Sequence, residues 1–262
     1  MDQAESNNES PQYSLGKILL IWAASALPMG LVVWVIVPFL IPRVDIVPGF
    51  MTLSLIALVQ VWLGVLAYTI LRGEVRPFTW ANLKDRLWLH TPTNPRTGLR
   101  SKRMFLWLIP WLALRLAYFY VLAPFDWLDD LWVKAFPSLA APAYAVIQNL
   151  AGPAVGQWWL LGVLVVLQVF NYVLGEELIF RGVLLPKMSG VFGKWDWLAN
   201  GILFTTYHIH LIWDWPSNIL IDWIYPWVAK RFKSYWMSVI LHGSDAPVVF
   251  LLFVLAILGM VP

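Results

Sequence analysis

The chain has 262 residues, 60% of them hydrophobic and 13% charged, with a formal net charge of +3. Such a composition excludes an ordinary soluble domain, in which about a quarter of residues are charged, and so small a charge gives no footprint for nucleic acid. With no cysteine in the chain, disulfides, thiol catalysis and thiolate metal sites are excluded too.

Residues 1–16, MDQAESNNESPQYSLG, are polar and acidic and lack the basic start of a signal peptide. They read as a disordered tail, and 17–262 as a single transmembrane helical domain. Apolar runs that approach or pass the roughly 20 residues needed to cross a bilayer lie at about 18–41, 49–71, 104–124, 156–180, 197–213 and 235–259. A shorter stretch at about 217–229 is expected to be a half-helix or a re-entrant segment. None of these runs alternates as barrel strands do. The expected fold is therefore all-α, a polytopic bundle of about six to eight membrane segments, with its motif-bearing core in 156–262. Pro28, Pro38, Pro110 and Pro247 fall in or near these runs, which packed neighbouring helices tolerate. Trp80, Trp88, Trp107, Trp111, Trp127, Trp132, Trp195, Trp197, Trp213 and Trp215 lie near their ends and read as interfacial anchors.

The loop 72–103 carries Arg72, Arg76, Lys84, Arg86, Arg96, Arg100, Lys102 and Arg103 against Glu74 and Asp85, so it is expected on the cytoplasmic side. The loop 125–155, with Asp126, Asp129 and Asp130 against Lys134, is expected outside. A multi-pass protein of a bacterial plasma membrane fits the missing cysteines and the many tryptophans. On this topology the fourth span runs inward and carries its charges near the cytoplasmic end, and the active site is expected to open towards the cytoplasm.

Those charges stand in NYVLGEELIFRGVLL, residues 171–185. Charge at membrane depth costs several kcal/mol and usually marks function. Glu177 and Arg181 are spaced i, i+4, with glutamate first, so they share a helix face and pair well. Glu176 is rotated by about 100° from them and meets Ile179 and Phe180 at i+3 and i+4. One carboxylate is thus neutralised and one is left over, suited to general acid or base work. His208, in ILFTTYHIHL, and His242, in MSVILHGSDA, are intramembrane by hydropathy. His90 lies in the basic loop and reads as solvated. His210, two residues from His208, is expected on nearly the opposite side of its helix, in a packing role or at the outer interface.

EELIFR, FTTYH and the last-span histidine resemble the motifs of the CPBP (CAAX-processing and bacteriocin-processing) intramembrane glutamic endopeptidases, the Rce1-like or Abi family. EExxxR matches at Glu176, Glu177 and Arg181, and FxxxH at Phe204 and His208. The third motif, HxxxN or HxxxD, matches only at His242: Ala246 stands where Asn or Asp is expected, and Asp245 comes one position early. The resemblance implies metal-independent hydrolysis of a peptide bond. Glu176 and His208 would hold and deprotonate the water, Glu177 and Arg181 would shape the site, and His242 would donate to the oxyanion. Ala246 cannot share that last duty, and Asp245 could instead orient an imidazole. No cofactor is implied, and the partners are a membrane-anchored protein or peptide substrate and the bilayer.

The residues support this chemistry on their own. Hydrolysis needs a base for water and a donor for the developing alkoxide, and no serine sits in a nucleophile elbow beside a histidine. Other readings stay open. Glu176, His208 and His242 could be three zinc ligands with an open position, although HExxH is absent. A non-catalytic scaffold could have kept the acid pair, and proton relays also use buried acids and histidines. No motif specifies the substrate or an oligomeric state.

Overall fold

The computed structural model describes residues 11–118 and 125–260. In chain order the main helices are α1 (Leu15–Leu40), α2 (Pro48–Glu74), α3 (Trp80–Arg86), α4 (Leu108–Ala117), α5 (Asp126–Ala135), α6 (Leu160–Lys187), α7 (Asp196–Tyr207), α8 (Ile224–Phe232) and α9 (Tyr235–Ile257). No strand forms among the described residues beyond one isolated bridge, Thr93 to Arg100. Helices α1, α2, α6 and α9 are long and apolar enough to cross a membrane. At most 44% of each one's apolar stretch is buried inside the protein. Their outward faces are also apolar, with Leu20 at 69%, Leu58 at 66% and Leu251 at 56% exposure. Apolar surface on this scale needs lipid rather than water.

The other expected segments are less regular. The one at 104–124 begins as a 3-10 turn, Lys102–Trp107, before α4, and its residues 119–124 lie outside the described residues. The one at 197–213 is helical only as far as Tyr207 and then breaks. The short stretch at 217–229 is half a helix: α8 returns against α7. Thr205 Oγ1 donates to Asp222 across this hairpin (2.7 Å). A Cβ on Gly201 would lie 2.7 Å from Trp223 Cα, so the close approach requires glycine.

Tryptophan has a second task here besides anchoring. Pro28 cannot donate to the carbonyl of Ala24, and the Trp62 indole does so instead (3.0 Å). The break after Tyr207 frees further carbonyls. Trp215 donates to His208 O (2.9 Å), Trp34 to Ile209 O (2.9 Å) and Trp132 to Ile212 O (3.1 Å). Irregular backbone at membrane depth requires such partners. Trp80, Trp107, Trp127 and Trp195 are exposed as anchors should be, but Trp213 is buried, edge-on to Trp34.

The ends of the bundle differ. At one, Glu74 is paired with Lys17 (2.6 Å) and Arg86 (3.2 Å) and accepts from the Tyr13 hydroxyl (2.8 Å). At the other, Gly156 N donates to Ile257 O (2.8 Å) and the Tyr144 hydroxyl to Val33 O (2.8 Å). The tail expected at 1–16 ends sooner than the sequence suggested. Tyr13 is buried, Lys187 Nζ donates to Pro11 O (3.1 Å), and α1 begins at Leu15. Residues 1–10 lie outside the described residues.

Candidate active site

Helix α6 is bent where its charges lie. It is π-helical over Phe170–Leu174 and again over Leu178–Leu184. Between them Gly175 bends the chain (φ −116°, ψ −91°). Inserted turns of this kind recur at functional sites. They leave Glu176 and Glu177 on a short helical step, both essentially without exposure.

The two carboxylates have unlike surroundings. Glu176 Oε1 accepts from Gln60 Nε2 on α2 and from the Tyr207 hydroxyl (3.2 Å). The Asn171 carboxamide also faces it; with the nitrogen turned inward it donates to both oxygens, at 2.7 and 2.8 Å. All these partners are neutral. His208 stands just beyond the last residue of α7, its Nε2 3.8 Å from Glu176 Oε2. Its Nδ1 is hydrogen-bonded to Phe204 O (2.9 Å). A carbonyl only accepts, so Nδ1 carries the proton, and in a neutral ring Nε2 faces Glu176 with its lone pair.

Glu177 is the opposite case. Its Oε1 lies 3.3 Å from Arg181 Nη1, the i, i+4 pair read from the sequence. The guanidinium also lies over the Phe204 ring, 3.9 Å from its centre. Oε2 accepts from Ser238 Oγ, and Oε1 from His242 Nδ1 (2.9 Å). Glu177 therefore joins the first motif to the last: it orients the imidazole on α9. The His242 ring is wedged among Tyr172, Phe204 and Tyr225, with ring centres 4.9–5.4 Å apart.

Asp245 does not orient His242. It lies in a 3-10 turn, Gly243–Asp245, ahead of Pro247, and is paired with Arg115 Nη2 (3.0 Å) on α4. The same guanidinium donates to Ser244 Oγ (2.8 Å) and the Tyr225 hydroxyl (2.8 Å). Beside Ala246, the Gln168 amide on α6 donates to the Ala246 carbonyl (2.9 Å).

A cavity of about 310 Å³ reaches Glu176 and His208, with Gln60, Gln168 and Asn171 among its walls. His242 is not among its lining residues. The wall takes Gly49 to Gln60 from α2, Leu164 to Tyr172 from α6, and Val249 and Phe253 from α9. Those are the halves of these helices remote from the 72–103 loop. On the basic side of Glu176, residues 179 to 184 are all buried. From Glu176 the cavity thus extends away from the basic loop. The expectation for His210 is corrected. Because the helix ends at His208 (φ −74°, ψ 52°), the i+2 rule does not apply. Both rings line the cavity, 5.5 Å apart. Among the described residues no group of three or more Asp, Glu and His side chains is placed to hold a metal ion.

Sequence reasoning found the acids and imidazoles but not Gln60, Asn171, Tyr207, Ser238 or Arg115. Gln60 and Arg115 carried a usable signal, since each is a lone polar residue inside an apolar run.

Fold and site together define a multi-pass membrane protein with a buried carboxylate–imidazole centre. Residues 156–245 match the family described as type II CAAX prenyl endopeptidase Rce1-like. Over that segment, about a third of the chain, the protein is similar to CAAX-type intramembrane proteases, in line with the resemblance of its motifs. Comparison with curated proteins and with solved structures gave no significant match.

Proposed function

We propose that the protein is an intramembrane endopeptidase that hydrolyses a peptide bond of a membrane-associated protein or peptide, using water activated by Glu176 and His208. One observation carries this reading: Glu176 Oε2 and His208 Nε2 face each other at 3.8 Å on the wall of one cavity. That is too long for a direct hydrogen bond and suits a water donating one proton to each. Such a water turns its lone pairs towards a substrate carbonyl. Attack forms the C–O bond, and the water's proton passes to the acid–imidazole pair. His242, which packs on the cavity-lining Tyr172 and is held by the Glu177 carboxylate, is the group that would donate to the oxyanion, from Nε2 when its ring is protonated. Collapse breaks the C–N bond, and the proton returns to the leaving amine. General acid–base catalysis of this kind contributes roughly 10²–10⁴-fold.

The engagement of His242 by Glu177 favours this route over a zinc site built on Glu176, His208 and His242. Metal analysis of the purified protein, with turnover that survives a chelator, is the matching test. A second reading, a non-catalytic substrate-binding member of the family, is favoured by Ala246 and by the commitment of Asp245 to Arg115. Reconstituted protein, Glu176→Gln and His208→Ala should be compared on membrane-anchored test peptides. Cleavage by the parent alone supports the protease. Equal cleavage by all three removes it, and tight peptide binding without cleavage supports the scaffold.

The basic end is taken as cytoplasmic by the positive-inside rule, in a bacterial plasma membrane. With α4 and the α7–α8 hairpin counted beside the four long apolar helices, the bundle would have six or seven membrane segments, within the six to eight expected.

A further inference from the structure

At the basic end, away from the acid–imidazole site, lies a second cavity of about 730 Å³. Arg100, Lys194, Lys230, Arg231 and Lys233 all line it. Lys230 is paired with buried Asp196, and among the described residues no carboxylate is paired with Arg100, Lys194, Arg231 or Lys233. Four cations thus converge without a counter-ion. The cavity is built rather than incidental. Its loop wall is closed by Asn94 N to Leu99 O (2.9 Å) and pinned to α8 by Thr93 N to Phe232 O (2.8 Å). Lys233 adopts the left-handed conformation (φ 43°) that ends α8.

Its depth and neighbours identify the ligand class. Lys233 stands two residues before α9, a membrane-spanning helix, begins, so the cavity lies where headgroups lie. Trp197 and Trp227 line it, as suits that level. An adjoining groove of about 380 Å³ shares Asn94, Pro95, Trp227 and Arg231 and is completed by Arg96, Met104, Trp107 and Phe232. A cationic chamber adjoining a groove whose walls are mostly aromatic and apolar, with Arg96 and Arg231 beside them, fits an amphiphile with an anionic head. A soluble phosphate would use only the chamber.

We propose that this cavity binds the phosphate headgroup of an anionic membrane phospholipid, with the root of an acyl chain in the adjoining groove. The proposal is independent of the protease reading. Delipidated protein is mixed with equimolar phosphatidylglycerol and phosphatidylcholine, and retained lipid is read by native mass spectrometry. The parent is expected to favour phosphatidylglycerol at least tenfold. The Arg100→Gln/Lys194→Gln/Arg231→Gln/Lys233→Gln variant is expected to lose that preference. Two controls should keep it: Arg72→Gln/Lys84→Gln/Lys102→Gln/Arg103→Gln, which removes equal charge elsewhere, and the charge-conserving Arg100→Lys/Arg231→Lys. Equal loss in the displaced-charge control would mean diffuse attraction and overturn the site. Displacement of the lipid by millimolar inorganic phosphate would overturn the lipid assignment in favour of a soluble anion. Should the fourfold variant fail to fold, Arg100→Gln/Arg231→Gln, both exposed side chains, is read in its place, and an unchanged preference there overturns the proposal.

Discussion

Glu176 and Glu177 are neighbours in the chain and chemically unlike, because each faces a different set of helices. Glu176 accepts hydrogen bonds from neutral groups and faces His208, whereas Glu177 is spoken for by Arg181, Ser238 and His242. The reading of one free and one neutralised acid came from i, i+4 spacing alone and agrees with this arrangement. Their replacements should differ accordingly. Glu176→Gln should lower kcat on a membrane-anchored peptide by roughly 10²–10⁴-fold. Glu177→Gln keeps an acceptor for His242 but removes the charge that supports an imidazolium, so kcat should fall with KM little changed. If KM rose and kcat held, Glu177 would be a binding residue instead. Ala246→Asn should raise turnover by restoring a carboxamide beside His242. Unchanged turnover would assign the donor to another group, such as the Gln168 amide.

The elements carry irregularities that apolar patterning does not show. A helix in lipid is apolar all round, so its sequence has little phase with which to mark a π-turn or a break. The bends in α6 and the end of α7 at His208 were therefore invisible, and the i+2 argument for His210 failed for the same reason. Gly175 is where α6 can be tested. A Cβ there would meet Phe170 O at 2.4 Å and Gln60 O at 3.0 Å, both backbone atoms that cannot swing aside. Gly175→Ala should cost about 1–3 kcal/mol by overpacking, measured as a lowered unfolding midpoint in detergent, and should reduce activity by displacing Gln60 from Glu176. Trp62→Phe should leave the Ala24 carbonyl beside Pro28 without its donor and cost about 1–3 kcal/mol, with activity intact.

Across the molecule, the last span is tied to α4 by Arg115 and Asp245, 130 residues apart. Removing one partner of a buried pair strands the other, whereas removing both can be nearly neutral. Because Arg115 is buried but Asp245 only partly so, Arg115→Ala should cost less than the roughly 3–5 kcal/mol of a fully buried pair, and Arg115→Leu/Asp245→Leu should recover most of it in a thermal melt. If the single change were harmless, the pair would not be what holds the turn after His242.

The apolar runs, the basic loop, the two motifs and the gap at Ala246 could all be read from the chain alone, because hydropathy and i, i+4 spacing are local properties. The partner of each buried charge could not. Asp245 meets Arg115 rather than His242, Glu176 takes its donor from Gln60 at a separation of 116 residues, and the cavity runs away from the basic end. Those outcomes depend on which helices pack together, since a polar group in a low-dielectric interior must take whatever partner the neighbouring helix presents.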